Sequence, residues 1–544
     1  MTIKIKINDQ PLEVPEGINI LEAALGNQIP LEHFCYHRYL PVAGNCRTCM
    51  VELEGPRGRA LTIACNTKVT EGMVIYTNSP GAQTAQKSAL EFLLLDHPLD
   101  CPICDKAGEC KLQDNYMKYG LYDSERMVPR YFKGGKDLSI GEHIILDQER
   151  CVLCTRCIRF VDEVTETSEL GIIHRGHEST LTTFPGKALD NAYSGNTTDI
   201  CPVGALTLKE FRFKQRVWFL KKTESICTKC ARGCNLWIEQ NRETVFRLMP
   251  RENPEINRTW ICNEGRMSFN EINDHRIVKS QLYGQVDDLG SMVEKIQNIL
   301  EGVEKEKILG IASPWATLED NFILRKLFKN RWNLDHLVSL LPPLGESDSI
   351  LRLPQKYPNG VGLQVLEIPE LSKSIIEKLN DRHFEVLLVM ENEFWQFASL
   401  ELQQSLFTIK HIIVLTTHQS DVFQKIEAVF PVRAFAEKYG TLINAMGYLQ
   451  KINPAINSYP EIVESSIFIA RLAQKMKIPG FEFETPVEVF NALSQEQSIF
   501  PKIRFHQIPS HGLFIPLDTN GVAPAPFSGH QKVDNVFVRG HQFK

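Results

Sequence analysis

At 544 residues, with 43% hydrophobic and 23% charged residues, the chain has the composition of a globular protein and is too long for a single core. A formal net charge of −6 and a pI near 6.2 exclude a general attraction to nucleic acid or to an anionic membrane surface. No run approaches the ~20 apolar residues that span a bilayer, and the N-terminus shows neither a signal-length apolar core nor a twin-arginine pair, which predicts a cytoplasmic protein that meets membranes only through partners.

Ile3, Ile5 and Ile7 alternate with Lys4 and Lys6, the period of a half-buried strand. Asn8-Asp9-Gln10 reads as a turn, Leu12–Val14 as the returning strand, and Asn19–Leu25 as a helix, the opening of a small β-grasp domain. The set Cys35-x10-Cys46-x2-Cys49-x15-Cys65 follows, with Gly44 placed where backbone would have to approach sulfur. It resembles the plant-type [2Fe–2S] ferredoxins with a longer first gap. Four thiolates also suit a structural zinc.

Residues 82–96 predict a helix ending at His97-Pro98. Cys101, Cys104 and Cys110 come next, and the parity of the ligand count bears on His97. All 15 cysteines lie between Cys35 and Cys262, and adding His97 completes four sets of four. Cys-x-x-Cys spacing without an export signal points to metal ligation rather than disulfides. An imidazole in place of one thiolate makes a cluster easier to reduce.

Cys151, Cys154 and Cys157, with the remote Cys201-Pro202, have the ferredoxin pattern of three close cysteines and a distant Cys-Pro, which assigns them one [4Fe–4S] cluster. Residues 191–199 read as a loop over it. Residues 211–222, five cations among aromatics, read as a solvated connection rather than a docking patch. Cys227, Cys230, Cys234 and Cys262 make the fourth set.

After Cys262 helical runs (Met292–Leu300, Leu318–Phe328, Ile368–Leu379) alternate with apolar strands (Lys307–Ala312, Phe384–Met390, His411–Leu415), predicting a doubly wound α/β domain. Gly360-Val-Gly362 lacks the third glycine of a dinucleotide fingerprint and reads as a loop. The stretch 501–544 reads as an extended arm, and its scattered His506, His511, His530 and His541 are not read as a metal site.

Taken in order, these motifs resemble the large iron–sulfur subunits (the G or 75-kDa type) of NADH:quinone oxidoreductase, respiratory complex I. The resemblance covers residues 1–270, and Phe92-Leu-Leu-Leu-Asp-His97-Pro-Leu-Asp-Cys101-Pro-Ile-Cys104 is its most specific stretch. The fourth set and Glu437-Lys438-Tyr-Gly440-Thr441-Leu-Ile-Asn444-Ala-Met-Gly447-Tyr-Leu-Gln450 are also similar to molybdopterin oxidoreductases such as formate dehydrogenase. Those enzymes carry Cys-x-Lys-Gly at the last ligand. Here Glu264 stands in the lysine position, where a carboxylate would repel an anionic pterin.

The resemblance implies a multi-domain architecture, α+β and then α/β. Its parts are a [2Fe–2S] β-grasp domain (1–80), a His-plus-three-Cys [4Fe–4S] segment (81–120) and a ferredoxin-like [4Fe–4S] domain (121–219). A molybdopterin-oxidoreductase-type [4Fe–4S] domain (220–276), a degenerate, cofactor-free α/β domain (277–500) and the arm (501–544) follow. It implies one [2Fe–2S] and three [4Fe–4S] clusters, no molybdopterin, and no nicotinamide, flavin or quinone site. Electrons would enter from a flavin-bearing, NADH-oxidising partner near the [2Fe–2S] centre. They would pass the Cys151 and His97 clusters to a ferredoxin-type partner leading to quinone, leaving the Cys227 cluster off the main line. The chain would be a peripheral subunit on the cytoplasmic side of the inner membrane. The rivals are a catalytic molybdopterin formate dehydrogenase, the electron-transfer subunit of an NAD-reducing hydrogenase, and a structural zinc protein.

Overall fold

The computed structural model describes residues 1–123, 127, 129–496, 500 and 502–516. The chain divides into two compact units between Leu220 and Lys221.

In the first unit, Thr2–Ile7 and Gln10–Pro15 form a hairpin that pairs Ile7 with Gln10. The turn is therefore Asn8-Asp9 alone, with Gln10 already in the strand. Both turn residues have left-handed φ (49° and 65°), the conformation that matches strand twist in a two-residue loop. The sheet order is Gln10–Pro15, Thr2–Ile7, Val74–Tyr76, Met50–Gly55, Gly58–Ile63, with the second and third strands parallel. Ile5 and Ile7 are buried against helix Ile20–Gly26, which buries Ile20, Leu21, Ala23 and Ala24. Asn19 caps that helix by accepting from the Glu22 amide at 2.8 Å.

Helix Pro80–Leu94, capped by Ser79, delivers the chain to His97. A small sheet (Leu206–Leu208, Ile144–Leu146, Leu138–Ser139), a hairpin (Leu170–Ile173 with Thr180–Thr183) and helix Arg156–Glu163 frame the next set of cysteines. The loop expected over 191–199 is partly a helix, Asn196–Ile200. Thr197 and Thr198 donate back to the carbonyls of Ser194 and Gly195, so side chains that usually favour turns are here satisfied within a buried helical turn.

The second unit opens with an antiparallel sheet, Lys221–Ile226, Asn235–Asn241 and Thr244–Pro250. Its main body is a seven-stranded sheet with five parallel strands in the order Leu337–Ser339, Ile308–Ala312, Val386–Met390, His411–Thr416, Ala428–Pro431. In chain order that is second, first, third, fourth, fifth, a doubly wound arrangement whose switch point falls between Ile308–Ala312 and Val386–Met390. Leu388 and Met390 enter one hydrophobic core, while Leu387 and Val389 enter the other. Both faces are covered, which is why these strands read as unbroken apolar runs.

Two expectations are corrected. Residues Gly360–Val365 form a helix rather than a loop. A Cβ on Gly362 would lie 2.1 Å from the buried Asn359 Oδ1 and 2.7 Å from Leu318 Cδ2, so the glycine makes room for both side chains. The helix expected over Ile368–Leu379 begins only at Lys373, because Pro369 disfavours a helical residue before it and Ser372 caps the true start. The arm is described over 502–516, where Leu513–Phe514 adds a strand beside Tyr448–Leu449. His530 and His541 lie outside the described residues.

Candidate metal centres

The Cys35 set is gathered by the β-grasp loop. The Cys35 amide points at Cys46 Sγ (3.4 Å), and Cys46 Sγ lies 3.2 Å from Thr48 Oγ1. Hydrogen bonds with the Cys46 and Cys65 side chains hold the Cys35 thiol far below its usual pKa, while the same contacts push Cys46 and Cys65 up. The Cys35 thiol therefore meets Cys46 and Cys65, and Cys65 meets Cys49, so the four side chains are linked in series. Gly44 has φ +63°, and a Cβ there would meet Ile63 Cδ1 at 3.2 Å rather than any sulfur. It serves a left-handed turn and not the close approach expected of it.

Close approach to sulfur is the role of two other glycines. A Cβ on Gly204 would lie 2.3 Å from Cys104 Sγ, and one on Gly265 would lie 2.8 Å from Cys227 Sγ.

His97, Cys101, Cys104 and Cys110 line one pocket with Gly204. Nδ1 of His97 is buried without a hydrogen-bond partner, and burial lowers the imidazole to about 4, which favours the neutral ring, the form able to ligate a metal. Burial raises the Cys104 thiol, and raises Cys110 to about 11. An orphaned imidazole nitrogen in a pocket shared with three thiols fits a metal group bound through deprotonated sulfur. The 211–222 segment proves to be more than a connection. Arg216 donates to the carbonyls of Cys104 (2.8 Å) and Pro102, and the Phe213 amide donates to Asp105, pinning the ligand loop.

Cys151, Cys154, Cys157 and Cys201 line a second pocket. Burial raises Cys151 to about 12 and Cys154 to about 11, and raises Cys157 as well. The two pockets share a wall: Val203 and Ala205 face the Cys151 set, while Gly204 between them faces the His97 set. Arg150, next to Cys151, pairs with Asp100 (2.9 Å), next to Cys101.

In the second unit Cys227, Cys230, Cys234 and Cys262 are all buried. The Cys227 amide bonds the Cys234 carbonyl at 2.8 Å, and Cys262 Sγ accepts from the Gly265 amide at 3.3 Å. Burial and the neighbouring thiols push Cys227 and Cys234 well up. The 437–450 stretch holds this loop. Asn444 Nδ2 donates to the Arg232 carbonyl (3.0 Å), and Gln450 Nε2 donates to the Gly233 carbonyl (2.9 Å). Lys438 is buried between Asp320 (3.0 Å) and Glu391 (2.9 Å), at the carboxyl ends of the strands flanking the switch point. Glu264 is not an isolated negative charge, because Lys356 lies 2.9 Å away. The repulsion expected from Glu264 is therefore largely compensated by a cation distant in sequence.

Among the described residues no group of three or more His, Cys, Asp or Glu side chains has the convergence that a single metal ion needs. Among them, too, no helix is long and apolar enough to cross a membrane.

Four families match in order along the chain. Residues 1–80 match a 2Fe-2S iron-sulfur cluster binding domain, and 86–125 match the NADH-ubiquinone oxidoreductase-G iron-sulfur binding region. Residues 141–207 match the ferredoxin-like domain of NADH-quinone oxidoreductase subunit 3, and 220–270 an NADH-ubiquinone oxidoreductase NDSU1/NuoG-like 4Fe-4S domain. The chain is 38% identical over 343 residues to the G-type subunit of the NADH-quinone oxidoreductase of Rickettsia conorii, covering 60% of this chain and 49% of that protein. It is 36% identical over 332 residues to the NADH-ubiquinone oxidoreductase 75 kDa subunit of Reclinomonas americana, covering 60% and 47%. The chain thus spans about half the length of the curated relatives it matches. A solved structure, the NAD+-reducing [NiFe]-hydrogenase in its H2-reduced state, matches at 27% identity with a TM-score of 0.35, covering 40% of this chain and 91% of that one.

Proposed function

We propose that this chain is the iron–sulfur electron-relay subunit of an NADH:quinone oxidoreductase. The observation that carries the reading is the coincidence of four iron–sulfur domain matches, in order, with four sets of candidate ligands that are buried or half-buried. The Cys35 set would hold a [2Fe–2S] cluster, and the His97, Cys151 and Cys227 sets would each hold a [4Fe–4S] cluster. The clusters supply one-electron storage. The protein supplies burial, sulfur contacts and fixed separation, which are its means of setting potentials. Its partners are a flavin-bearing, NADH-oxidising subunit and a ferredoxin-type subunit leading to quinone, and it lies peripherally on the cytoplasmic side of the membrane.

The domain partition at 80, 120, 219, 276 and 500 follows the same reading. The domain from 277 to 500 is a degenerate relative of molybdopterin oxidoreductases that binds no pterin. Supporting this, the strand ends where a doubly wound sheet takes its ligand are filled by the Lys438–Asp320–Glu391 cluster.

The test is iron, sulfide, zinc and molybdenum per chain on anaerobically purified protein, with electron paramagnetic resonance after reduction. Full loading gives about 14 irons, both cluster types, and neither zinc nor molybdenum. Stoichiometric molybdenum would make the chain a dehydrogenase, and about four irons fewer with one zinc would make the Cys227 site structural.

A further inference from the structure

Helix Arg156–Glu163 starts between two ligands of the Cys151 set, and its first turn projects two arginines onto the Cys35 loop. Arg156 is 7% exposed. Its Nη2 donates to the carbonyls of Tyr36 (2.6 Å) and His33 (3.3 Å), and its Nη1 donates to Ile200 (3.1 Å), the residue before Cys201. Arg159, one turn on, donates through a single nitrogen, Nη2, to the carbonyls of Cys35 and Cys154 (3.2 Å). It also reaches the Pro41 carbonyl and Thr155 Oγ1. One guanidinium nitrogen therefore touches the backbone of a ligand from each set. On the far side, Asn45 Nδ2 donates to the Leu153 carbonyl at 3.3 Å.

The acceptors of both arginines are backbone carbonyls and a hydroxyl, with no carboxylate among them. A buried cation without a counter-charge is costly. The thiols whose charge bears on Arg156 come from both sides, Cys154 and Cys201 from one set and Cys35 and Cys46 from the other. Four thiolates leave an iron–sulfur centre net negative, so bound clusters provide the missing counter-charge. Each reduction adds one more negative charge, with no bond made or broken.

We propose that Arg156 and Arg159 are positioning residues shared by two centres: they lock the Cys35 and Cys151 ligand sets together and hold positive charge against both, raising the two reduction potentials in step. The proposal rests on the cluster assignment above. A shared cation shifts both potentials in the same direction, so it makes the pair easier to reduce while leaving their difference nearly unchanged.

The experiment is a redox titration of the full, anaerobically purified chain with a one-electron chemical reductant, followed by electron paramagnetic resonance. Arg159→Gln is expected to keep its iron and to lower the reduction equilibrium of both centres about tenfold, ~59 mV for one electron. The His97 and Cys227 centres should stay put. Arg159→Lys, which keeps the charge but not the fork, should hold both centres within about threefold of wild type. An iron-loaded Arg159→Gln with either potential unmoved overturns the proposal, as does Arg159→Lys falling as far as Arg159→Gln. If Arg159→Gln loses iron, Arg156→Gln takes its place with the same expected shift, and unmoved potentials there overturn the proposal equally. A wild-type chain without a [2Fe–2S] signal would instead refute the functional reading.

Discussion

Replacing Lys438 with methionine tests how much of the second unit depends on one buried charge. Lys438 is 2% exposed, and its Nζ lies 3.0 Å from Asp320 Oδ2 and 2.9 and 3.2 Å from the Glu391 carboxylate. Asp320 keeps its bonds from Thr317 Oγ1 (2.7 Å) and the Ser466 amide (2.8 Å), and Glu391 keeps its bond from Ser465. Neither keeps a cation. Removing one partner from a buried ionic cluster costs about 3–5 kcal/mol. For a unit of about 300 residues that is a fall of roughly 5–8 °C in Tm. Burial already raises Glu391 and the neighbouring Lys438 lowers Asp320, so the variant is relieved by protonating Glu391 first. Its deficit should shrink as pH falls from 7.5 to 5, and adding Glu391→Gln should recover more than half of it. Differential scanning calorimetry of the metal-loaded chain reads both. A fall below about 2 °C, or no recovery in the double variant, would refute the reasoning.

Gly204→Ala places a Cβ 2.3 Å from Cys104 Sγ, so the sulfur must move by about 1 Å to regain contact distance. The expected result is loss of about four irons per chain, and full iron with an unchanged spectrum would count against it. Glu319 is buried, accepts from the Thr441 amide (2.9 Å) and hydroxyl (2.8 Å), and is raised by burial to about 7. A raised carboxylate costs nothing while both states are protonated, and it costs stability as pH rises from its unfolded value near 4.5 towards 7. Glu319→Gln should therefore gain on wild type between pH 5 and 8, by up to about 3 kcal/mol, read from denaturant midpoints. A constant difference across that range would exclude the titration of Glu319 as the cause. Cys230→Ser should lower Tm by roughly 10 °C while sparing most electron transfer; normal stability with lost transfer would put the Cys227 centre on the electron path.

The iron–sulfur domain matches of the first half were legible because cysteine spacing is local. Cys-x-x-Cys and the Cys-Pro after a triplet can be read along a line, and His97, drawn in by parity, lies in the same pocket as Cys101, Cys104 and Cys110. The β-grasp hairpin was legible because Ile3, Ile5 and Ile7 declare a face. Contacts between distant residues were not legible. Lys438 meets Asp320 and Lys356 meets Glu264 only after the α/β domain has folded. The right principle, glycine beside sulfur, went to Gly44 because it precedes a cysteine, whereas Gly204 and Gly265 approach sulfurs of other segments. Arg156 and Arg159 did leave a trace, two cations three residues apart flanking Cys157. Gly360-Val-Gly362 misled because glycine's poor helix propensity was outweighed by packing on Leu318.

The wall between the His97 and Cys151 sets bears on how the first unit fills. Val203 and Ala205 belong to one pocket and Gly204 to the other, and the strip follows directly on Cys201, which lines the first pocket. Whatever orders Cys201 sets the surface against which Cys104 must fit. On the reading proposed above, a cluster placed in either pocket would prepare the other, and maturation of the pair would be cooperative. Chains limited for iron should separate into filled and empty populations at these two sites, with few half-filled molecules between them.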